Sequence, residues 1–187
     1  MTAATPPSQA RSRAILLLIA AIFLAPLATA LYLFYTDWHP AHTRNYGDLL
    51  DPVRDLRVVH FTRADGSRFA WNHEDKTWRV LVAAPADCGA ACDRLADTLR
   101  RVWVGLGNNA DHVQVLWVGP APKAGFRALV PVTADASLAR ALPDVARPDA
   151  IPVYVVDPSG FLFLRHPPGF DPGHLRKDLQ RMFQQNM

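Results

Sequence analysis

The stretch WRVLVAAPADCGAACDRLADTLRRVWVGLG, residues 78–107, decides the fold. Its opening segment, 78–84, is apolar apart from Arg79 and reads as a buried strand. Pro85-Ala86-Asp87 breaks that strand, and the period then changes. Cys92, Leu95, Leu99, Val102, Trp103 and Leu106 recur at helical spacing, with Asp93, Arg94, Asp97, Arg100 and Arg101 between them. Gly105 and Gly107 mark the end of this helix. The two cysteines of the chain, Cys88 and Cys92, sit at the junction. Cys88 falls between the strand end and the first helical turn, where unpaired backbone N–H groups favour a thiolate. Cys92 lies one turn on, with Cα atoms about 6 Å apart, inside the roughly 4.4–6.8 Å that a disulfide spans. The pair suits reversible disulfide chemistry, and two soft thiolates this close also suit Cu(I), given a third ligand. A purely structural bridge is the rival reading, but so short a loop removes little unfolded-state entropy. Asp87 and Asp93 work against thiolate at either cysteine.

Working outward, residues 57–62 read as a strand, 64–67 as a hairpin turn and 68–72 as its partner. Residues 113–118 (VQVLWV) form the next buried strand. A loop rich in Pro and Gly follows, then a weaker helical stretch over 135–142. Residues 153–156 and 161–165 flank Asp157-Pro158-Ser159-Gly160, a hairpin signal. The last helix has Asp171 as N-cap, Pro172 as its first residue, and Leu175, Leu179, Met182 and Phe183 on one face. The order β-β-β-α-β-α-β-β-α predicts an α/β fold: a mixed sheet flanked by helices on both faces, with an N-terminal β-hairpin.

At the N-terminus, residues 14–35 (AILLLIAAIFLAPLATALYLFY) carry no charged side chain. As a helix this run spans roughly 33 Å, close to the hydrocarbon thickness of a bilayer. Arg11 and Arg13 precede it and Asp37 follows, so the positive-inside bias puts residues 1–13 in the cytoplasm and the rest across the membrane. Tyr32, Tyr35 and Trp38 suit the far headgroup layer. A cleaved signal peptide ending at Ala28-Thr29-Ala30 competes with this. The apolar run continues through Leu31, Leu33 and Phe34, which favours an uncleaved anchor. Residues 36–56 read as a tether and 57–187 as the domain.

Half of the 187 residues are hydrophobic and a fifth are charged, which excludes a disordered chain. The net charge of +3 includes Arg11 and Arg13, leaving 18 basic against 17 acidic groups, a net +1. With no concentrated basic field, no nucleic-acid partner is expected.

Element order and motif positions over roughly residues 57–187 resemble the thioredoxin-like superfamily, in its membrane-anchored, extracytoplasmic branches such as the TlpA-type thiol-disulfide oxidoreductases. The resemblance implies that Pro152, in Ile151-Pro152-Val153-Tyr154-Val155-Val156, is a cis-proline facing the cysteines. The C-x-x-x-C spacing is similar to the SCO copper chaperones of cytochrome oxidase assembly. Those proteins add a histidine just ahead of the late strand, where residues 146–152 (ARPDAIP) hold none. His166 and His112, at strand ends, are the candidates for a third copper ligand. His39 and His42 read as an interfacial polar pair.

The layout, with the Asp37-Trp38 pair after the anchor, implies a single-pass protein of the bacterial inner membrane with its domain in the periplasm. Cys88 is expected to be the more exposed, attacking sulfur, Cys92 the resolving one, and Pro152 the partner-binding position. The implied partner is a cytochrome c oxidase subunit or a copper chaperone. Copper(I) carriage by Cys88 and Cys92, and a scaffold with idle cysteines, are the alternatives; the exchange chemistry itself requires no cofactor. Gly105-Leu106-Gly107-Asn108-Asn109-Ala110 imitates a dinucleotide fingerprint but follows a helix, so it reads as a helix stop.

Overall fold

The computed structural model describes residues 9–36, 45–144, 147 and 150–186. The Asp37–Trp38 pair, His39, His42 and most of the 145–149 stretch lie outside the described residues. The chain divides into two units, residues 1–43 and 44–187. In the first, α1 (Gln9–Tyr35) is one helix that carries Pro26 in its interior. Its Arg13–Tyr35 portion is long and apolar enough to cross a membrane, and none of it is buried.

The second unit is built on a seven-stranded sheet in the order β1-β7-β6-β3-β4-β5-β2. The strands are β1 (Asp48–Asp55), β2 (Phe61–Arg63), β3 (Trp78–Ala83), β4 (Val113–Val118), β5 (Leu129–Ala134), β6 (Val153–Val156) and β7 (Phe161–His166). β3, β4 and β5 are parallel neighbours; β6, β7, β1 and β2 all pair antiparallel. Alternation along β3 sorts the core. Trp78, Val80 and Val82 face the layer made by α2 (Gly89–Val104) and α4 (Pro172–Asn186). Leu81 faces the other layer, where Leu138 of α3 (Ser137–Ala141) packs with Phe61 and Phe69. The mixed sheet with helices on both faces is the expected architecture.

Helix boundaries follow local chemistry. Gly105 is still right-handed (φ −68°) and donates its N–H to Arg101 O, whereas Gly107 takes φ +58°. Gly107 is therefore the left-handed residue that stops the helix, before a 3-10 turn over Gly107–His112. At α4, Asp171 accepts the Gly173 N–H at 2.7 Å, and Pro172 begins the helix.

Three segments differ from the sequence reading. Residues 48–55, read as tether, form edge strand β1 against β7, with a register shift between Leu49 and Arg54. Most of its side chains are exposed, so no buried alternation signals it. The hairpin of residues 57–72 contracts to β2 plus a single bridge between Thr62 and Arg68; β2 pairs with β5 instead. β5 lies in the stretch read as loop because Pro131 interrupts it. Pro131 falls just beyond the last β2–β5 pair, Arg63–Val132, so its missing N–H costs that ladder nothing.

Candidate functional site: a disulfide at the start of helix α2

β3 delivers the chain to Pro85, and Cys88 takes the N-cap position of α2 with no side-chain capping bond. The Cys88 N–H donates to Pro85 O (3.3 Å), and Cys88 O accepts the Ala91 N–H (2.9 Å). Cys88 and Cys92 are joined as a disulfide with Cα atoms 5.5 Å apart. The sulfur pair stands where the spacing places it.

Its exposure departs from the expectation that Cys88 is open to a partner. Cys88 is 5% exposed and Cys92 2%, within one apolar cluster that includes Ala96, Leu99, Trp117, Ile151 and Val153. The cause is helical geometry. Residues 88, 92, 96 and 99 fall on one stripe, and that stripe packs onto the sheet. The spacing that lets the cysteines join also turns them inward.

The bond before Pro152 also departs from the cis geometry that the resemblance implies. The cis peptide bond among the described residues is Asp51–Pro52, and Ile151–Pro152 is trans. Pro152 is buried at the entrance to β6, a place where a trans proline is tolerated because the ladder has not yet begun. Ile151, next to Pro152, belongs to the cysteine cluster. Pro152 lines a groove with Asp144, Arg147 and Arg165, and Ile151 lines an adjoining one with Ala91, Arg94, Leu95 and Phe170; Pro168 borders both. Asp93 is occupied elsewhere, accepting the Lys123 N–H at 2.9 Å and facing its ammonium at 3.8 Å.

The two candidate histidine ligands go to different places. His112 precedes Val113, which pairs with Trp78 at the start of β3. Five strand steps, about 17 Å, separate that end from the cysteine end. His166 pairs with Val153 and so lies at the cysteine end, two strand spacings (about 10 Å) from β3. Its ring is 1% exposed and turned to α4, with Nε2 3.4 Å from Asp178 Oδ2. Among the described residues, no group of three or more His, Cys, Asp or Glu side chains is arranged to hold a metal ion.

Sequence reading missed what Asp178 does. Fully buried on α4, it accepts the Tyr46 N–H (3.0 and 3.1 Å) and the Gly47 N–H (3.0 Å), with Arg181 Nη1 3.5 Å away. Gly47 is required there. A Cβ would stand 2.9 Å from both Arg165 O and His166 Nε2. The Tyr46 ring stacks on His174 at 4.1 Å, so the start of the domain is clamped to α4. Only an Asp within the apolar period of the last helix could have signalled this.

Burial pushes the His166 pKa below its ordinary 6.5, although Asp178 and Asp48 pull the other way. Near pH 7.5 the imidazole is largely neutral in folded and unfolded chains alike. As pH falls through about 6.5 the unfolded chain takes up a proton that the folded domain accepts only at lower pH, so stability falls. Thermal unfolding between about pH 7.5 and 5.5 is expected to show this slope, and His166→Gln to flatten it. An equal slope in the variant would contradict the assignment.

The sheet order, the flanking helices and a disulfide opening α2 define a thioredoxin-like protein. The family model described as "Transmembrane-like, thioredoxin-like, C-terminal domain" matches residues 78–185, and the chain belongs to that family. Among solved structures, BsSco, described as a member of the Sco family of cytochrome c oxidase assembly proteins with a disulfide switch, aligns at TM-score 0.53 and 13% identity, over 72% of this chain and 95% of that one. Yeast Sco1 with copper bound aligns at 0.52 and 12%, over 76% and 95%. Arabidopsis thaliana ScoI with copper bound aligns at 0.51 and 14%, over 74% and 98%. At these identities the likeness is one of fold. Comparison with curated protein sequences finds no match.

Proposed function

We propose that the protein is a membrane-anchored thiol-disulfide exchange protein whose working couple is Cys88–Cys92, serving assembly of the copper site of cytochrome c oxidase. The observation that carries this is the bridge itself, closed across the first turn of α2. A reduced partner presents a thiolate to Cys88 Sγ, the S–S bond breaks, and Cys92 leaves as a thiolate. A second partner thiol then displaces Cys88. The partner dithiol loses two electrons and two protons, and the couple gains them. An oxidised partner runs the same steps backwards, with Cys88 attacking and Cys92 resolving. Because both sulfurs are covered, exchange requires the first turn of α2 to lift from the sheet. The bridge closes so short a loop that reducing it costs about 2 kcal/mol at most on chain-entropy grounds, which leaves the fold standing.

The oxidase connection draws on BsSco, whose description names that assembly, and on the yeast and Arabidopsis Sco structures, described with copper bound. On this reading the N-terminus lies in the cytoplasm and the domain in the periplasm of a bacterial inner membrane; the apolar helix with Arg11 and Arg13 ahead of it supports that orientation through the positive-inside bias. Copper(I) as cargo is the second reading. Reduced Cys88 and Cys92 supply two soft ligands, and the described residues supply no third beside them.

The test uses the reduced full-length chain. In timed alkylation, Cys88 is expected to react before Cys92, since the helix start stabilises its thiolate. Titration of Cu(I) against a competing chelator is expected to show no stoichiometric uptake. Tight one-to-one uptake abolished by Cys88→Ser would replace exchange with carriage.

A further inference from the structure

The end of the sheet opposite the disulfide holds a cavity of about 240 Å³. It lies among the 73–76 turn, the first residue of β3, the end of the 3-10 turn, the β6–β7 turn and α4. Its apolar wall is aromatic: Trp78 is 7% exposed and Phe183 4%. Both rings are braced from behind or beside, Trp78 edge-on to Phe163 with centroids 5.8 Å apart and Phe183 against the His112 ring at 6.4 Å. These contacts fix the rings around the open space.

The rim carries His73, Lys76 and His112, all exposed. Lys76 forms no ion pair among the described residues, and its backbone stands at φ +47°, a conformation that side-chain-bearing residues seldom adopt. The lining carboxylate, Asp157, is already engaged: Oδ1 accepts the Phe161 N–H at 2.8 Å, and the charges of Arg57 and Arg79 face it. Glu74 and Asp75 of the same turn do not line the cavity, so the charged lining side chain left without a partner is Lys76, above an aromatic floor. An apolar cavity of roughly 150 Å³ accommodates a benzene ring, so this one has room for a ring with its acid group.

We propose that this cavity is a second binding site, independent of the cysteines, for a small planar aromatic carboxylate. The ring lies against Trp78 and Phe183, the carboxylate meets the Lys76 ammonium, and His73 and His112 supply further N–H donors.

The full-length chain in detergent is titrated with benzoate, and with benzyl alcohol and benzylamine as its neutral and cationic counterparts. Binding is followed by ligand NMR and tryptophan fluorescence against a micelle blank. Benzoate is expected to saturate with a dissociation constant on the order of 1 mM, ahead of both counterparts. Lys76→Gln, an exposed change that leaves the fold in place, weakens benzoate about fivefold. His112→Ala weakens it as well, and both variants keep thiol-disulfide exchange at the parent rate. No saturable binding, equal binding of the three compounds, or benzoate affinity unchanged in Lys76→Gln would each overturn the site.

Discussion

Replacing Cys88 with serine is expected to bring thiol-disulfide exchange down to the rate of buffer alone, while the domain stays folded. The serine leaves Cys92 as a lone thiol 2% exposed, unable to close an intramolecular bridge. Cys92→Ser has a different signature. Cys88 at the helix start still attacks a model disulfide, displacing one of its sulfurs as a thiolate, and with no Cys92 to resolve it the mixed disulfide accumulates. The pair of variants is scored by mass spectrometry of the trapped adduct and by turnover. Normal turnover in either single variant would remove the cysteines from the mechanism. Full activity in cells of the double variant would favour a scaffold role.

The largest loss of stability is expected at Asp178. Alanine there leaves the buried Gly47 N–H and the half-buried Tyr46 N–H without their acceptor. Each orphaned group costs about 1–3 kcal/mol, so the variant loses about 2–6 kcal/mol against a marginal total. Asp178→Asn keeps one acceptor oxygen and falls between the two. Denaturant unfolding measures the loss, and hydrogen exchange of the Tyr46 and Gly47 amides locates it at the entrance to β1. A change below about 0.5 kcal/mol, the ordinary range of surface substitutions, would show that the clamp is ornamental.

Much of this architecture was legible because its periods are strong. β3, β4, the β6–β7 hairpin, α2 and α4 bury continuous or regularly spaced apolar residues, and their caps are chemically explicit at Asp171 and Gly107. β1 was not legible, since an edge strand with exposed side chains and Pro52 inside it has no two-residue alternation to read. β5 was hidden by Pro131, whose tolerance depends on where β2 stops pairing, a tertiary fact. At the site, the position and reach of the cysteines followed from spacing. Their burial was also written in the sequence, in the stripe 88, 92, 96 and 99, but a stripe reveals burial only once the face it packs against is known. The trans Ile151–Pro152 bond is a departure from the resemblance that no local signal announces.

The positions of His166 and His112 bear on any copper reading in the same way. Both end or precede strands, which is all that sequence states. The topology then sends one to the cysteine end, where Asp178 faces it, and the other to the far end of the sheet. Strand order, not strand content, decides which residues meet.

The Cys88–Cys92 couple is expected to open and close in the folded protein. Equilibrating the full-length chain in detergent with thiol-disulfide buffers, while recording free thiols and circular dichroism together, tests it most directly. The expected result is a reversible two-electron transition with a midpoint less negative than about −300 mV, the region of labile rather than structural bridges, with helix and sheet signals unchanged. A bridge that yields only below that potential, or only as the domain unfolds, would contradict the account.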